Sequence, residues 1–296
     1  MKSIAVIGSG TMGNGIAHTF AQFGYQVNLI DINESILDQS LGIISSNLER
    51  QVSKGTITRD RKEGTLNNIT LFTDLKTGTE KADLIIEAAT ENSAVKIDIF
   101  KSLDSFCKAD AILASNTSSI PITKLASATA RPQNVIGMHF MNPVPLMKLV
   151  EVIKGRETSD RTTKIIMELS RELGKSPVEV NDAPGFVANR ILMPMINEAI
   201  YTLNEGIAGV NEIDEVMKLG MGHHMGPLQL ADFIGLDVCL AILNILLEGF
   251  KNDKYLPCPL LKSMVLAGNK GIKSGNGFYN YAQIGKELTV SEQFRK

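Results

Sequence analysis

Near the N-terminus, Gly8-Ser9-Gly10-Thr11-Met12-Gly13 separates two segments of different periodicity. Before it, Ile4-Ala5-Val6-Ile7 is a short strand-like run. After it, Met12, Ile16, Thr19, Phe20 and Phe23 fall on one face of a helix. A second strand-like run, Gln26 to Ile30, ends at Asp31, about 20 residues beyond the first glycine. With 25 glycines in 296 residues, a G-x-G-x-x-G pattern alone says little. Strand, glycine turn, helix, strand and acid in this order predict a Rossmann-like unit that binds a dinucleotide. Gly8 permits the tight turn, Gly10 lets a pyrophosphate approach the backbone, and Gly13 lets the helix pack closely on the sheet. Thr11 and Met12 open the helix, whose free amides and positive dipole end face the phosphates. Asp31 is expected to accept from the ribose 2′ and 3′ hydroxyls and to repel a 2′-phosphate, favouring NAD(H) over NADP(H).

Strand-like and helix-like segments continue to alternate. Asn33 is placed to cap a helix running towards Lys54. Strand-like runs follow at Ile69 to Phe72, Asp83 to Ala88, Ala111 to Ala114, Val135 to Met138, Lys148 to Ile153 and Val178 to Val180, with helices over Ser93 to Cys107 and Ser159 to Leu173. This alternation implies a parallel sheet covered by helices. After Asn181-Asp182-Ala183-Pro184-Gly185 the pattern is helical throughout: Phe186 to Asn204, Val210 to Leu219, Pro227 to Ile234, Leu236 to Phe250 and Pro259 to Ala267. The expected architecture is α/β: a Rossmann-like dinucleotide-binding domain over 1–184, then an all-helical domain over 185–296, with the active site in the cleft between them.

His139 ends one strand-like run, and the two prolines of Asn142-Pro143-Val144-Pro145 force an extended turn before the run that carries Glu151. A strand-turn-strand return could place Glu151 beside His139, orienting the imidazole and stabilising its protonated form, as a proton shuttle requires. From spacing alone, a structural histidine and an unrelated surface glutamate is the stronger reading. His223-His224 does not make a metal site: adjacent histidines rarely point at one ion, and no Cys, Asp or Glu completes a ligand set at suitable spacing.

The wider pattern reverses the reading of His139. Ser115-Asn116-Thr117-Ser118-Ser119, the run from His139 to Glu151, Asp182-Ala183-Pro184-Gly185-Phe186-Val187-Ala188-Asn189-Arg190, Met225-Gly226-Pro227 and Gly275-Asn276-Gly277-Phe278-Tyr279 resemble the 3-hydroxyacyl-CoA dehydrogenase family in order and over essentially the whole chain. The chain's length, with no fused hydratase region, resembles the short bacterial members that act on 3-hydroxybutyryl-CoA.

The resemblance implies reversible hydride transfer between NAD(H) and a 3-hydroxyacyl-CoA/3-oxoacyl-CoA pair, with an (S)-3-hydroxy product. It makes His139 the general acid/base and Glu151 its partner. Ser118 and Asn189 become the residues that hydrogen-bond the reacting oxygen and neighbouring substrate groups. Asn142 shapes the site, and Glu91, Lys96 and Asn116 lie on the nicotinamide side of the cofactor. Rough position within the family points to Ser53 and Lys54 for the CoA group, in a helical region from Asn47 to Lys62 that also carries Arg50, Arg59, Arg61 and Lys62. A solvated helix face explains those charges equally well. The resemblance also implies a homodimer, for which the apolar helices after residue 184 supply surface.

Three rivals stay open. A hydroxyacid dehydrogenase would use a catalytic lysine in the helical domain, and the His139/Glu151 pair disfavours it. A non-enzymatic dinucleotide-binding structural protein is disfavoured by intact His139, Glu151, Ser118 and Asn189. A long-chain enzyme of β-oxidation differs only in pocket depth, where each methylene is worth about 1–3 kcal/mol.

Composition sets the remaining limits. A net charge of −2 argues against a nucleic-acid partner. The most apolar stretch, Phe233 to Leu247, is interrupted by Asp237 and Asn244 and is too short to span a bilayer. Three scattered cysteines, Cys107, Cys239 and Cys258, fit a reducing cytoplasm better than a disulfide framework.

Overall fold

A computed structural model describes residues 2–282 and 288–295. The chain forms two compact units, Met1–Ala183 and Pro184–Lys296.

In the first unit, strands β1 (Ser3–Ile7), β2 (Gln26–Ile30), β3 (Ile69–Phe72), β4 (Leu84–Glu87), β5 (Ile112–Ser115), β6 (Val135–Phe140), β7 (Leu149–Lys154) and β8 (Ser176–Asn181) form one sheet. Its order is β3-β2-β1-β4-β5-β6-β7-β8. Helices α1 (Thr11–Gln22), α2 (Glu34–Ser53), α3 (Arg59–Asn67), α4 (Leu75–Thr79), α5 (Ser93–Phe106), α6 (Ile122–Ala126) and α7 (Asp160–Glu172) connect the strands. The chain leaves β1 towards β2 and β3 on one side and returns to β4 on the other, so the strand order reverses beside β1. In an open α/β sheet such a switch point leaves a crevice at the carboxyl ends of the strands. Ile4, Val6, Leu29, Leu84 and Ile86 are buried with Ile16 and Phe20 of α1, which explains the near-continuous apolar character of these strands.

The sheet is not purely parallel. β6 and β7 pair antiparallel, with His139 opposite Glu151, whereas β7 and β8 pair parallel. The turn between β6 and β7 is too short for the crossover that a parallel pair needs, so the chain must reverse direction there. The basic segment Asn47 to Lys62 is likewise not one helix. α2 stops at Ser53, and α3 begins after Thr58, whose side chain accepts from the Arg61 N–H.

The second unit contains α8 (Ala188–Asn204), α9 (Val210–Glu215), α10 (Pro227–Ile234), α11 (Leu236–Phe250) and α12 (Pro259–Leu266), with α9 continued by a π-helical turn over Val216–Gly220. Its core gathers Met193, Ile196, Ile200, Leu228, Leu243, Leu246, Tyr255 and Phe278. It is not all-helical: β9 (Tyr279–Asn280) and β10 (Thr289–Val290) pair antiparallel. α10 and α11 are bent 96° apart, and among the described residues no single helix is long and apolar enough to cross a membrane.

Candidate active site

Gly8 adopts φ +93°, a region open to glycine without strain, and its N–H donates to the Ile30 carbonyl at 2.8 Å. A Cβ on Gly13 would lie 1.8 Å from the Gly8 carbonyl oxygen, so α1 can approach the turn only because that side chain is absent. Gly10 is the N-cap of α1 and supplies no side-chain hydrogen bond, nor does an acidic residue occupy the first turn. The amides of Thr11 and Met12 thus remain directed at whatever lies beyond the helix end.

Gly8, Gly10, Thr11, Met12 and Asp31 border a cavity of about 680 Å³ that Thr90 and Val95 also line. Glycine backbone at one end, apolar walls and a carboxylate suit a dinucleotide: phosphates at the helix terminus, adenine on the walls, ribose at the acid. A second cavity, of about 390 Å³, lies beside the same turn and is lined by Ser9, Asn14, Asn47, Asn142 and Pro143 among others. The Asn142–Pro143 peptide bond is cis.

Asp31 has less acceptor capacity than its place in the motif implies. Its Oδ2 accepts from both the N–H and the hydroxyl of Ser9, at 2.7 and 2.8 Å, and its Oδ1 from the Ile32 N–H at 2.8 Å. A carboxylate offers about four acceptor positions, so one strong bond remains for the ribose rather than two.

His139 and Glu151 are both buried, and Nδ1 of His139 lies 2.7 Å from Oε2 of Glu151. A carboxylate can only accept, so the hydrogen of this contact sits on Nδ1, and Glu151 fixes the orientation of the ring. The neighbouring loop leaves β5 at Ser115, which pairs with Gly137 of β6. Asn116 fastens that loop to β6, its Oδ1 accepting the Phe140 N–H at 2.9 Å.

A network not foreseen from the sequence holds this loop in place. Buried Glu87, at the end of β4, accepts from Lys96 at 2.6 Å, from Ser115 at 2.6 Å and from the Ala89 N–H at 2.7 Å. The Lys96 ammonium is itself almost fully buried and also lies 3.4 Å from Glu91. Glu91 Oε1 accepts from the Thr117 hydroxyl, the Ser118 N–H and the Ser119 hydroxyl, at 2.5, 3.0 and 2.7 Å. Burial works against ionising Glu91, but the Lys96 charge and these hydrogen bonds outweigh it and hold the carboxyl below its ordinary range. Lys96 therefore lies inside the protein between two acids, and Glu91 orders the segment that carries Ser118. The signal for Glu87 was a lone acid closing an otherwise apolar run, which is how a buried, paired charge reads.

Ser53 and Lys54 close α2 and are exposed. Of the cations around them, Arg59 and Lys62 pair with Glu49, and Arg61 donates to the Gln22 carbonyl. Asn189 lies in the first turn of α8 in the second unit, its N–H donating to the Gly185 carbonyl at 3.1 Å.

Comparison with known proteins agrees with this geometry. Residues 3–183 match the model for the 3-hydroxyacyl-CoA dehydrogenase NAD binding domain, and residues 185–281 the model for the family's C-terminal domain. The chain is 51% identical to a 3-hydroxybutyryl-CoA dehydrogenase of Clostridioides difficile, over 94% of this chain and 99% of that protein. It is also 51% identical to one of Bradyrhizobium diazoefficiens, over 95% and 96%. The crystal structure of an (S)-3-hydroxybutyryl-CoA dehydrogenase from Ralstonia eutropha superposes with a TM-score of 0.92 at 46% identity, covering 96% of this chain and 100% of that one. With its NAD-binding domain at residues 3–183, the chain belongs to the 3-hydroxyacyl-CoA dehydrogenase family.

Proposed function

We propose that the chain interconverts (S)-3-hydroxybutyryl-CoA and acetoacetyl-CoA with NAD(H), His139 moving the proton. The observation that carries this reading is the buried His139–Glu151 contact at 2.7 Å, beside the Ser118 loop, in an NAD-binding domain of this family. When bound, the reduced cofactor supplies the hydride that reaches C3 of the 3-oxoacyl group. Negative charge then gathers on the C3 oxygen, and protonated His139 delivers its Nε2 proton there. Glu151 accepts the Nδ1 hydrogen throughout, fixing the ring and its tautomer. In the oxidative direction, neutral His139 takes the hydroxyl proton at Nε2. Ser118 and Asn189 are the proposed donors to the same oxygen, a role in which preplaced hydrogen bonds lower the barrier.

On the cofactor side, Gly8, Gly10, Thr11, Met12 and Gly13 hold the phosphates and Asp31 the ribose. Glu91, Lys96, Asn116 and Asn142 shape the nicotinamide end, Lys96 and Glu91 through the network they share. Ser53 and Lys54 are assigned to the CoA group, with Arg50 as the nearby exposed cation. We also assign the working form as a homodimer in a reducing cytoplasm, without a nucleic-acid or membrane partner. Exposed Ile191, Ile207, Leu219, Met221 and Leu266 on the second unit offer apolar surface to a second copy.

The test is oxidation of NADH by acetoacetyl-CoA and by longer 3-oxoacyl-CoA esters, in wild type and His139→Ala. Turnover with the four-carbon ester that is lost in the variant supports the assignment. Preference for longer esters would replace it with a β-oxidation enzyme, and no turnover despite NADH binding would leave a binding protein.

A further inference from the structure

Ser9 occupies the first variable position of the glycine motif, where the fingerprint asks for no particular side chain. In this chain it is buried, 4% exposed, and both of its donors go to the same atom, Oδ2 of Asp31. The backbone N–H reaches that oxygen at 2.7 Å and the hydroxyl at 2.8 Å, while Ile32 N–H holds the other oxygen at 2.8 Å. The three donors fix the carboxylate in rotation as well as in position. Asp31 lines the larger cavity and Ser9 lines only the smaller one, so the serine holds the acid without itself lining the proposed ribose site.

We propose that the Ser9 hydroxyl is a cofactor-selectivity determinant, acting by pinning the Asp31 carboxylate. The proposal rests on the assignment of the larger cavity to a dinucleotide, and it goes beyond it. An acid at this position can respond to a 2′-phosphate in two ways. It can stay and repel, or it can rotate and let the phosphate in. Rotation requires that the two hydrogen bonds on Oδ2 be given up, and these are charge-assisted bonds, stronger than neutral ones. The hydroxyl therefore makes yielding costly. It also leaves one acceptor position of Asp31 presented to a ribose hydroxyl in a single geometry, so the same contact that rejects NADPH preorganises the acid for NADH. Ser9 is a positioning residue in this scheme, since it acts on the ligand through Asp31.

The measurement is the dissociation constant of NADH and of NADPH, read by nucleotide fluorescence, in the full-length wild type, Ser9→Ala, Ser9→Gly and Ser9→Thr. The alanine variant removes only the hydroxyl. The glycine variant keeps the backbone N–H and guards against misfolding of the alanine protein. Threonine restores the hydroxyl. The ratio of the NADPH constant to the NADH constant is expected to fall about tenfold in Ser9→Ala and Ser9→Gly, a change of about 1.4 kcal/mol in discrimination. Tighter NADPH binding and weaker NADH binding both contribute. Ser9→Thr is expected to recover most of the wild-type ratio, an outcome that general loosening of the turn would not produce. Unchanged ratios in the alanine and glycine variants would overturn the proposal, as would a threonine variant no more selective than alanine. Wild-type protein that binds neither nucleotide would instead overturn the dinucleotide assignment, so the two failures are told apart.

Discussion

His139 and Glu151 meet because they are directly opposed across an antiparallel strand pair, with Nδ1 and Oε2 2.7 Å apart. Opposed residues on one face of such a pair have neighbouring side chains by backbone geometry alone. Burial of both then keeps water from competing for the contact. Removing the imidazole should lower kcat by about 10²- to 10⁴-fold, the usual worth of a positioned acid/base. Glu151→Gln should lower it by less, since the ring stays in place without a charged partner. The informative variant is the double one. If Glu151 acts through His139, then His139→Ala/Glu151→Gln will be no slower than His139→Ala, because residues that act as a unit are non-additive. A double variant slower by the product of the two single effects would show that Glu151 acts on its own. Steady-state rates with acetoacetyl-CoA and NADH decide this.

The turn that joins these strands is itself held by a buried lysine. Lys175 donates to the carbonyls of Val144 and Met147 at 2.5 and 2.9 Å, and Val144 packs against the bare Cα of Gly15 on α1. Burial, helped by the charge of Lys148, pushes the Lys175 ammonium below its ordinary range, so the site holds a charge at some cost. Lys175→Met keeps the stem but leaves two carbonyls without their donor. Thermal unfolding should register a loss of about 1–3 kcal/mol. The same variant should lower kcat more than it raises the NADH dissociation constant, because the displaced turn carries the ends of β6 and β7.

Much of the first unit was written in local pattern. The strand runs, the Asn33 cap and the return through Pro143 and Pro145 are consequences of period, capping chemistry and a fixed φ, all readable over a few residues. What escaped depends on distant partners. Glu87 gave a hint, as a lone acid closing an apolar strand, but its partner Lys96 sits in an amphipathic helix and cannot be read as buried until the fold brings the two within 2.6 Å. Lys175 is equally opaque, since its acceptors are backbone carbonyls about 30 residues away. The pinning of Asp31 by Ser9 needs a side-chain rotamer, which no spacing encodes. The β9–β10 pair escaped for another reason: two-residue strands have no periodicity to detect. The antiparallel turn of β7 was half legible, because two prolines gave the reversal but the alternation of strand and helix argued for a parallel sheet.

Gly13 should tolerate no side chain. A methyl group there would lie 1.8 Å from a backbone oxygen, so either α1 or the Gly8 turn must move. Gly13→Ala is expected to abolish measurable NADH binding by fluorescence. Gly10→Ala is the useful contrast, since its Cβ would meet nothing within 4 Å of the protein. That variant should fold with wild-type stability and weaken NADH only because the methyl occupies space the phosphates need. Equal thermal stability of the two variants would contradict the packing argument.

Acid should weaken the first unit through His18. Burial in α1 pushes this imidazole down to about 4, with a hydrogen bond to Gln22 opposing the shift only in part. Its folded value lies below its unfolded value, so neutral His18 contributes fully above about 6.5, and the contribution is lost as pH falls towards 4. At pH 5 the loss is about 2 kcal/mol. His18→Leu keeps the buried volume and removes the titration. It should remove the fall in thermal midpoint between pH 7 and pH 5, and a fall as large as in the wild type would mean that the imidazole is not buried as a neutral ring.

Asp232 should act in the opposite sense in the second unit. Its oxygens accept from the N–H groups of Phe278 and Tyr279 at 3.0 and 2.9 Å and from the Tyr281 hydroxyl at 3.2 Å, tying the C-terminal segment to α10. Burial raises the carboxyl to about 6 despite these donors, and the charge of Asp214 adds to the rise. Asp214, which accepts from the Leu228 and Gln229 N–H groups and from the Tyr279 hydroxyl, is itself raised by burial. For a raised carboxyl the folded state binds the proton more tightly, so its contribution is full below about 3.8 and is lost as pH rises through about 6. His18 and Asp232 thus bend the stability curve from opposite sides. In His18→Leu the midpoint should rise as pH falls from 7 to 5. Asp232→Asn should be less stable at every pH, because one backbone N–H then faces an amide NH₂ instead of an acceptor. The slope is the diagnostic quantity: in the His18→Leu/Asp232→Asn double variant it should flatten over the same range. A slope that persists there would assign the titration to Asp214, and Asp214→Asn on the same background would then remove it.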